Sequence, residues 1–202
     1  MLKINKNPNF TRKEKEMLEN LKPFNKDSWD KRSIAMKKLK KRLRKKLDMI
    51  QRGQCAYCGS IFGITSAMEI EHIAPKGESL YPEFMFHEKN LVGACELCNG
   101  VYKKHSKDIV ETKSSIYENC IFKIVHPYFD NPDDHFNWDD KKILISRISD
   151  KGEYSIKLFE LDGIKLTSNR AKEYILNKIG AGYPLSESDK SLLQMALKYH
   201  PL

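Results

Sequence analysis

"NLVGACELCNGVYKKH", residues 90–105, is the stretch that decides how this chain is read. Cys95 and Cys98 stand two residues apart, followed at once by Asn99 and then by Lys103 and Lys104. Upstream, "CAYCGS" at 55–60 supplies a second pair with the same gap, Cys55 and Cys58. A two-residue gap lets both thiolates of a knuckle reach one ion, and Zn²⁺ takes four such sulfurs tetrahedrally at about 2.3 Å. One Cys-x-x-Cys alone also suits a redox dithiol. Two of them point instead to zinc on Cys55, Cys58, Cys95 and Cys98. The intervening residues, 59–94, exceed a minimal zinc ribbon, so they must form structure of their own. Cys120 has no sequence partner and reads as a small buried hydrophobe.

Inside that insert lies "MEIEHIAPKG", residues 68–77. The run "AMEIEHIA" predicts a strand, on which Glu71 and His72 point to opposite faces. They serve one site only if the strand ends or bends there, which Pro75 supplies. Glu69 shares the face of Glu71. A Glu-His pair beside proline is also what an ordinary surface turn carries, and Asn99 after a knuckle also suits a helix cap. His87, His105, His126, His135 and His200 read as surface or satisfied core residues.

The formal net charge of +9 is unevenly placed. Residues 1–54 hold 18 Lys or Arg against 6 Asp or Glu, a net of +12, which leaves −3 for the remainder. The densest part, "MKKLKKRLRKKLDMIQR" at 36–52, spaces Met36, Leu39, Leu43, Leu47 and Ile50 as one apolar stripe on a helix. Lys40, Lys41, Arg42, Arg44 and Lys45 cover the other faces. Such a helix is a solvated surface, a dock for an acidic partner, or a phosphate-tracking surface. It leads straight into the first cysteine pair, which favours the phosphate-tracking reading.

The remaining signals outline an α+β chain without internal repeats. Thr11 caps a predicted helix over 11–21, which Pro23 breaks. A long helix is expected from Asp27 or Ser28 to Gln51, stopped by Gly53. Residues 55–75 read as a knuckle and a short hairpin, and 76–89 as loop. Asn99 is expected to open a helix that carries Lys103 and Lys104. "VHPYFDNPDDHFNWDD" is a turn-rich connection. "KKILISRISDKGEYSIKLFELD" predicts a hairpin turning at Asp150-Lys151-Gly152. Helices are expected over 168–179 and from Ser186, where Asp189 suggests a capping box. No apolar run reaches membrane-spanning length. The N-terminus lacks an apolar leader, so a cytoplasmic location is expected.

The order Cys-x-x-Cys, Glu71-His72, Asn90-Leu91, Cys-x-x-Cys-Asn99, Lys resembles the HNH nuclease family of the ββα-metal fold, in the subgroup braced by a four-cysteine zinc. The resemblance covers about residues 53–105. It implies a core at 53–110, a basic helical region at 1–52 and an accessory region at 111–202 with a turn-rich segment, a hairpin and two helices. It also implies an endonuclease in which His72 activates water, while Glu71 and Asn99 hold Mg²⁺ or Mn²⁺ through oxygen, with Glu69 as the rival carboxylate. Asn90 would tie the central loop together, and Lys103 or Lys104 would meet the phosphate. Many relatives carry Asp at the position of Glu71. Their lysine commonly stands where this chain has Tyr102, and Asn99 replaces their final histidine.

The strings "IEHIAPKG", "NLVGACELCN" and "HPYFDNPDDHF" are similar to the nuclease subunit of Septu-type and retron-linked anti-phage systems. That likeness implies a nucleic-acid substrate, DNA before RNA, cut with little sequence preference, and a regulatory ATPase partner. The alternative is a zinc-braced protein without catalysis that binds nucleic acid or docks on the ATPase.

Overall fold

The computed structural model describes residues 1–63, 66–77, 79–101 and 103–198. Tyr102, His200 and part of the "FGIT" turn lie outside these residues. The chain forms two compact units, residues 1–132 and 133–202. Among the described residues, helices alternate with three two-stranded antiparallel sheets, an α+β architecture. Among the described residues no helix is long and apolar enough to cross a membrane.

In the first unit, α1 (Arg12–Glu19) starts at Thr11, whose hydroxyl and Glu14 complete a reciprocal capping box. The expected long helix is two helices, α2 (Lys26–Asp30) and α3 (Ile34–Ile50). The break has a local cause. Asn25 and Ser28 cap α2, Lys31 is extended, and the Ser33 hydroxyl accepts from the Met36 amide to restart the helix. The short α2 then turns Trp29 into the core.

The apolar stripe of α3 is buried as its spacing requires: Met36, Leu39 and Leu43 pack with Trp29, Met85 and Leu91, and Leu47 is fully buried. Lys41, Arg44 and Lys45 remain exposed on the outer face.

The central hairpin pairs β1 (Met68–His72) with β2 (Leu91–Cys95), with Glu71 opposite Val92 and His72 opposite Leu91. The strand over 91–95 is absent from the sequence reading; its five residues are all buried, so no alternation marks it. β2 runs into α4 (Glu96–Asn99), which ends at Asn99 instead of continuing through the lysines. Gly100 allows this turn, because a Cβ there would lie 2.7 Å from the Glu96 carbonyl oxygen.

Gln51 at the end of α3 fastens that helix to the hairpin. Its side chain donates to the Gly93 carbonyl (2.8 Å) and accepts from the Gly93 amide (2.6 Å), as a neighbouring strand would. β3 (Val110–Thr112) and β4 (Ile121–Phe122) pair behind it. The Tyr128 hydroxyl donates to the Leu91 carbonyl (2.7 Å), so the "HPYF" turn braces β2.

In the second unit β5 (Phe136–Trp138) pairs with β6 (Ile145–Arg147). The hairpin expected around Asp150 is therefore displaced toward the N-terminus. The run after it is α5 (Asp150–Phe159), because the Ser149 hydroxyl accepts from the Gly152 amide as an N-cap. α6 (Ile164–Gly180) and α7 (Glu187–Lys198) follow. Ser186 and Asp189 exchange backbone and side-chain hydrogen bonds at the start of α7.

Replacing Gln51 with alanine strands the Gly93 amide and leaves the Gly93 carbonyl with only the Ala56 amide as donor. We expect Gln51→Ala to lower stability by about 2–3 kcal/mol in urea unfolding. A change below a few tenths would show that Gln51 does not carry the helix–hairpin link.

Candidate metal and hydrolytic site

The four cysteines converge as the sequence predicts. Their Sγ atoms all lie within 4.8 Å of one another, and Cys55, Cys95 and Cys98 are buried. Tetrahedral zinc with bonds of about 2.3 Å spaces its sulfurs about 3.8 Å apart. Cys58 and Cys95 Sγ are separated by 3.8 Å. The Cys95 amide also donates to Cys55 Sγ (3.3 Å). Burial pushes the Cys55 thiol up, whereas contacts with the other three sulfurs hold Cys58 far below the usual thiol range. Four thiolates cannot share this space without a cation, so donor type and spacing fit structural zinc.

Two faces of β1 carry different chemistry. On one, Glu69 and Glu71 point toward α4 and the turn beyond it. Asn99 Nδ2 donates to Glu69 Oε2 (2.7 Å), not to Glu71. Glu71 meets Lys104, whose Nζ lies 3.2 Å from Glu71 Oε1, 3.4 Å from the His72 carbonyl and 3.3 Å from the His105 carbonyl. Lys104 is fully buried and so lines no phosphate-binding surface. The Lys104 amide donates to the Cys98 carbonyl (3.1 Å), so the zinc knuckle itself turns this lysine inward. The Glu71 contact is an ion pair without hydrogen-bond geometry, and Oε1 has no hydrogen bond. Burial outweighs the lysine's attraction and pushes the Glu71 carboxyl up to about 7. Glu69, Glu71 and the Asn99 carbonyl give this face oxygen donors of the type a hard divalent cation takes. An oxygen without a hydrogen bond on a buried carboxylate fits such an ion.

On the other face His72 is buried. Its Nε2 lies 3.1 Å from the Met85 carbonyl, so Nε2 carries the proton and donates, leaving the Nδ1 lone pair unprotonated. The Trp29 ring stands edge-on to His72, with centroids 4.4 Å apart. Burial first, then the ammoniums of Lys76 and Lys104, lower the His72 pKa to about 3, which keeps the imidazole neutral near pH 7.

Asn90 holds the loop between the strands. Its Oδ1 accepts from the Ala74 amide (2.6 Å), while Nδ2 donates to the carbonyls of Ala74 (3.1 Å) and Phe84 (2.9 Å). The Tyr117 hydroxyl also donates to Asn90 Oδ1 (2.9 Å) and lies 3.0 Å from His126 Nε2. His126 is thus a satisfied core residue, and Tyr117 is a support that no local pattern announced.

Among the expected phosphate contacts, Arg42 points inward to Glu14 (2.6 Å) and Lys40 pairs with Asp30 (3.9 Å). Lys103 is half-buried in the turn after α4. Trp29, Asp30 and Lys76 near His72 are absent from the sequence reading. The Asn25/Ser28 capping pair is the local signal for α2, which places Trp29 and Asp30; Lys76 comes from the loop after β1.

No protein-family model matches the chain. It is similar to the Septu protein PtuB of Bacillus mycoides (strain KBAB4): 32% identical over 139 residues, 59% of this chain and 46% of that protein. The chain therefore spans about half the length of this curated relative.

The purified protein should hold one zinc per chain by elemental analysis, and Cys58→Ser should lose it together with cooperative unfolding. Retention of a folded, zinc-free state would contradict the four-sulfur brace. His72 gives a second, pH-dependent prediction. In the unfolded chain the ring titrates near 6.5. Below that pH the unfolded state takes up a proton that the folded state refuses, so stability falls as pH drops from about 6.5 toward 3. Against His72→Gln, which does not titrate, the wild type should lose about 3 kcal/mol between pH 7 and 4 in urea unfolding. A constant difference would show that the ring is not held neutral.

Proposed function

We propose that this chain is a metal-dependent HNH endonuclease that hydrolyses phosphodiester bonds of DNA with little sequence preference. We further propose that it acts in anti-phage defence beside a regulatory ATPase. The single observation that carries the hydrolytic reading is the His72 tautomer. Nε2–H is committed to the Met85 carbonyl, which leaves Nδ1 as a proton acceptor in a zinc-braced hairpin. The likeness to a Septu PtuB protein supports the defence setting.

In this reading His72 Nδ1 takes a proton from water. The water oxygen forms a bond to phosphorus as the bond from phosphorus to the 3′ oxygen breaks, and that oxygen leaves with a proton from solvent. Glu71 and Asn99 would hold Mg²⁺ or Mn²⁺ through oxygen, with Glu69 as the alternative carboxylate; β1 ends at His72, and only at that strand end would the ion and the base on opposite faces share one phosphate. Such an ion, when bound, stabilises the charge that builds on the phosphoryl oxygens and the leaving group. Asn90 keeps the His72 loop in register through its backbone hydrogen bonds. Lys103 is the candidate contact to the scissile phosphate. Lys41, Arg44 and Lys45, exposed along α3, supply affinity through the backbone without reading bases.

A second reading, a zinc-braced nucleic-acid-binding or ATPase-docking protein without catalysis, has two observations in its favour. Lys104 already neutralises Glu71, and the Asn99 amide is committed to Glu69.

Incubation with supercoiled plasmid and Mg²⁺ or Mn²⁺ separates the two. The wild type should nick or linearise the plasmid, and His72→Ala should cut at least about 100-fold more slowly while keeping its zinc and its DNA affinity. Binding without cutting by the wild type would favour the second reading.

A further inference from the structure

The side of His72 that faces α2 and α3 holds a charge arrangement that the hydrolytic reading does not use. Lys40 comes from α3 and Lys76 from the loop after β1, yet both ammoniums converge on one carboxylate. Lys76 Nζ lies 3.3 Å from Asp30 Oδ2, and Lys40 Nζ lies 3.9 Å from Asp30 Oδ1. Each lysine thus meets a different oxygen of the same anion. Lys40 also sits 4.8 Å above the Trp29 ring centroid, and the same ring packs edge-on against His72. Asp30 is the last residue of α2, and its side chain is 66% exposed.

These features do not describe a structural lock. An ion pair this exposed adds little to stability. Two ammoniums brought together repel unless an anion stands between them. A phosphodiester offers what Asp30 offers: one negative charge shared by two oxygens that project side by side. Lysine binds phosphate as a point charge, and two lysines fixed on separate elements define a position. Because Asp30 is the last residue of its helix, followed by extended Lys31, its carboxylate can swing aside without disturbing the buried Trp29.

We propose that Lys40 and Lys76, held in place by Trp29, form a subsite for a nucleic-acid backbone phosphate beside His72, and that Asp30 occupies this subsite in the free protein as an internal stand-in for that phosphate. The subsite rests on the hydrolytic reading only for the identity of its ligand. It positions a phosphate next to the one attacked and reads no base. Asp30 acts as a competitor that incoming nucleic acid must displace, so free protein binds more weakly than its lysines allow.

Fluorescence anisotropy with a labelled DNA duplex, in low salt and without added divalent ions, tests this while cutting is silent. Asp30→Asn should tighten binding by about three- to tenfold. Lys40→Gln and Lys76→Gln should each weaken it and reduce the slope of log affinity against log salt by about one. In the Lys40→Gln/Lys76→Gln background, Asp30→Asn should bring no gain. Zinc content and circular dichroism verify folding, and Asp30→Ser repeats the measurement if asparagine perturbs α2. Asp30 variants that bind no tighter overturn the stand-in. Lysine variants that bind like the wild type, or a wild-type protein that binds no duplex at low salt, overturn the subsite. If the protein cuts nothing, the hydrolytic reading fails, yet the gain from Asp30→Asn would still stand.

Discussion

Four sulfurs drawn within 4.8 Å of one another set the geometry of the first unit. They tie the knuckle at 55–58 to the end of β2 and the start of α4, closing the segment between them into a loop. A zinc bound at such a centre contributes on the order of 10 kcal/mol to folding in small domains. Everything near His72 inherits its position from that closure. The end of α3 grips Gly93 two residues before Cys95. The turn after Cys98 sends Lys104 into the interior, and Asn99 stands directly after the last ligand. Asn90 then fixes the loop that returns from β1 to β2.

The hairpin so held separates two electrostatic tasks. One face carries two carboxylates, an amide and a buried ammonium; the other carries a neutral imidazole flanked by an indole and surface lysines. A buried ion pair such as Glu71–Lys104 is weak evidence for stability, because desolvation offsets much of the attraction. Its presence makes better sense as a cation already lodged where a carboxylate is kept out of water. The imidazole is held neutral by burial and by neighbouring positive charge, and its tautomer is fixed by a carbonyl. The tautomer leaves Nδ1 as the ring nitrogen with the unprotonated lone pair, while burial and the neighbouring ammoniums make the ring harder to protonate.

Those parts of the fold that rest on strong local chemistry were legible in the sequence. The cysteine pairs, the apolar stripe of α3, the Thr11 cap and the Ser186–Asp189 cap all appear where their residues predict. Three features were hidden, each for a physical reason. Lys31 leaves the helix and the Ser33 hydroxyl restarts it, splitting what periodicity reads as one helix, and Ser149 nucleates α5 where the apolar and aromatic run Tyr154–Phe159 suggests a strand. The inward turn of Lys104 depends on Gly100 ending α4 after Asn99, which no charge pattern reveals. At the site itself, Glu71, His72 and Asn90 were picked out as a set. The pairing of Asn99 with Glu69 and of Glu71 with Lys104 was not, since it depends on side-chain choices across a face of β1. Trp29 and Asp30 stay hidden because only the turn of α2 brings them near His72, and Lys76 because it approaches from the loop after β1.

The most direct test of the account is a crystal structure with Mn²⁺ and an uncleavable phosphorothioate oligonucleotide, with anomalous scattering used to place the metals. The account predicts zinc at the four cysteines, manganese at the carboxylate–Asn99 face with Lys104 moved off Glu71, and a phosphate facing His72 Nδ1. An unmoved Glu71–Lys104 pair with no manganese there, and the oligonucleotide bound away from His72, would contradict it.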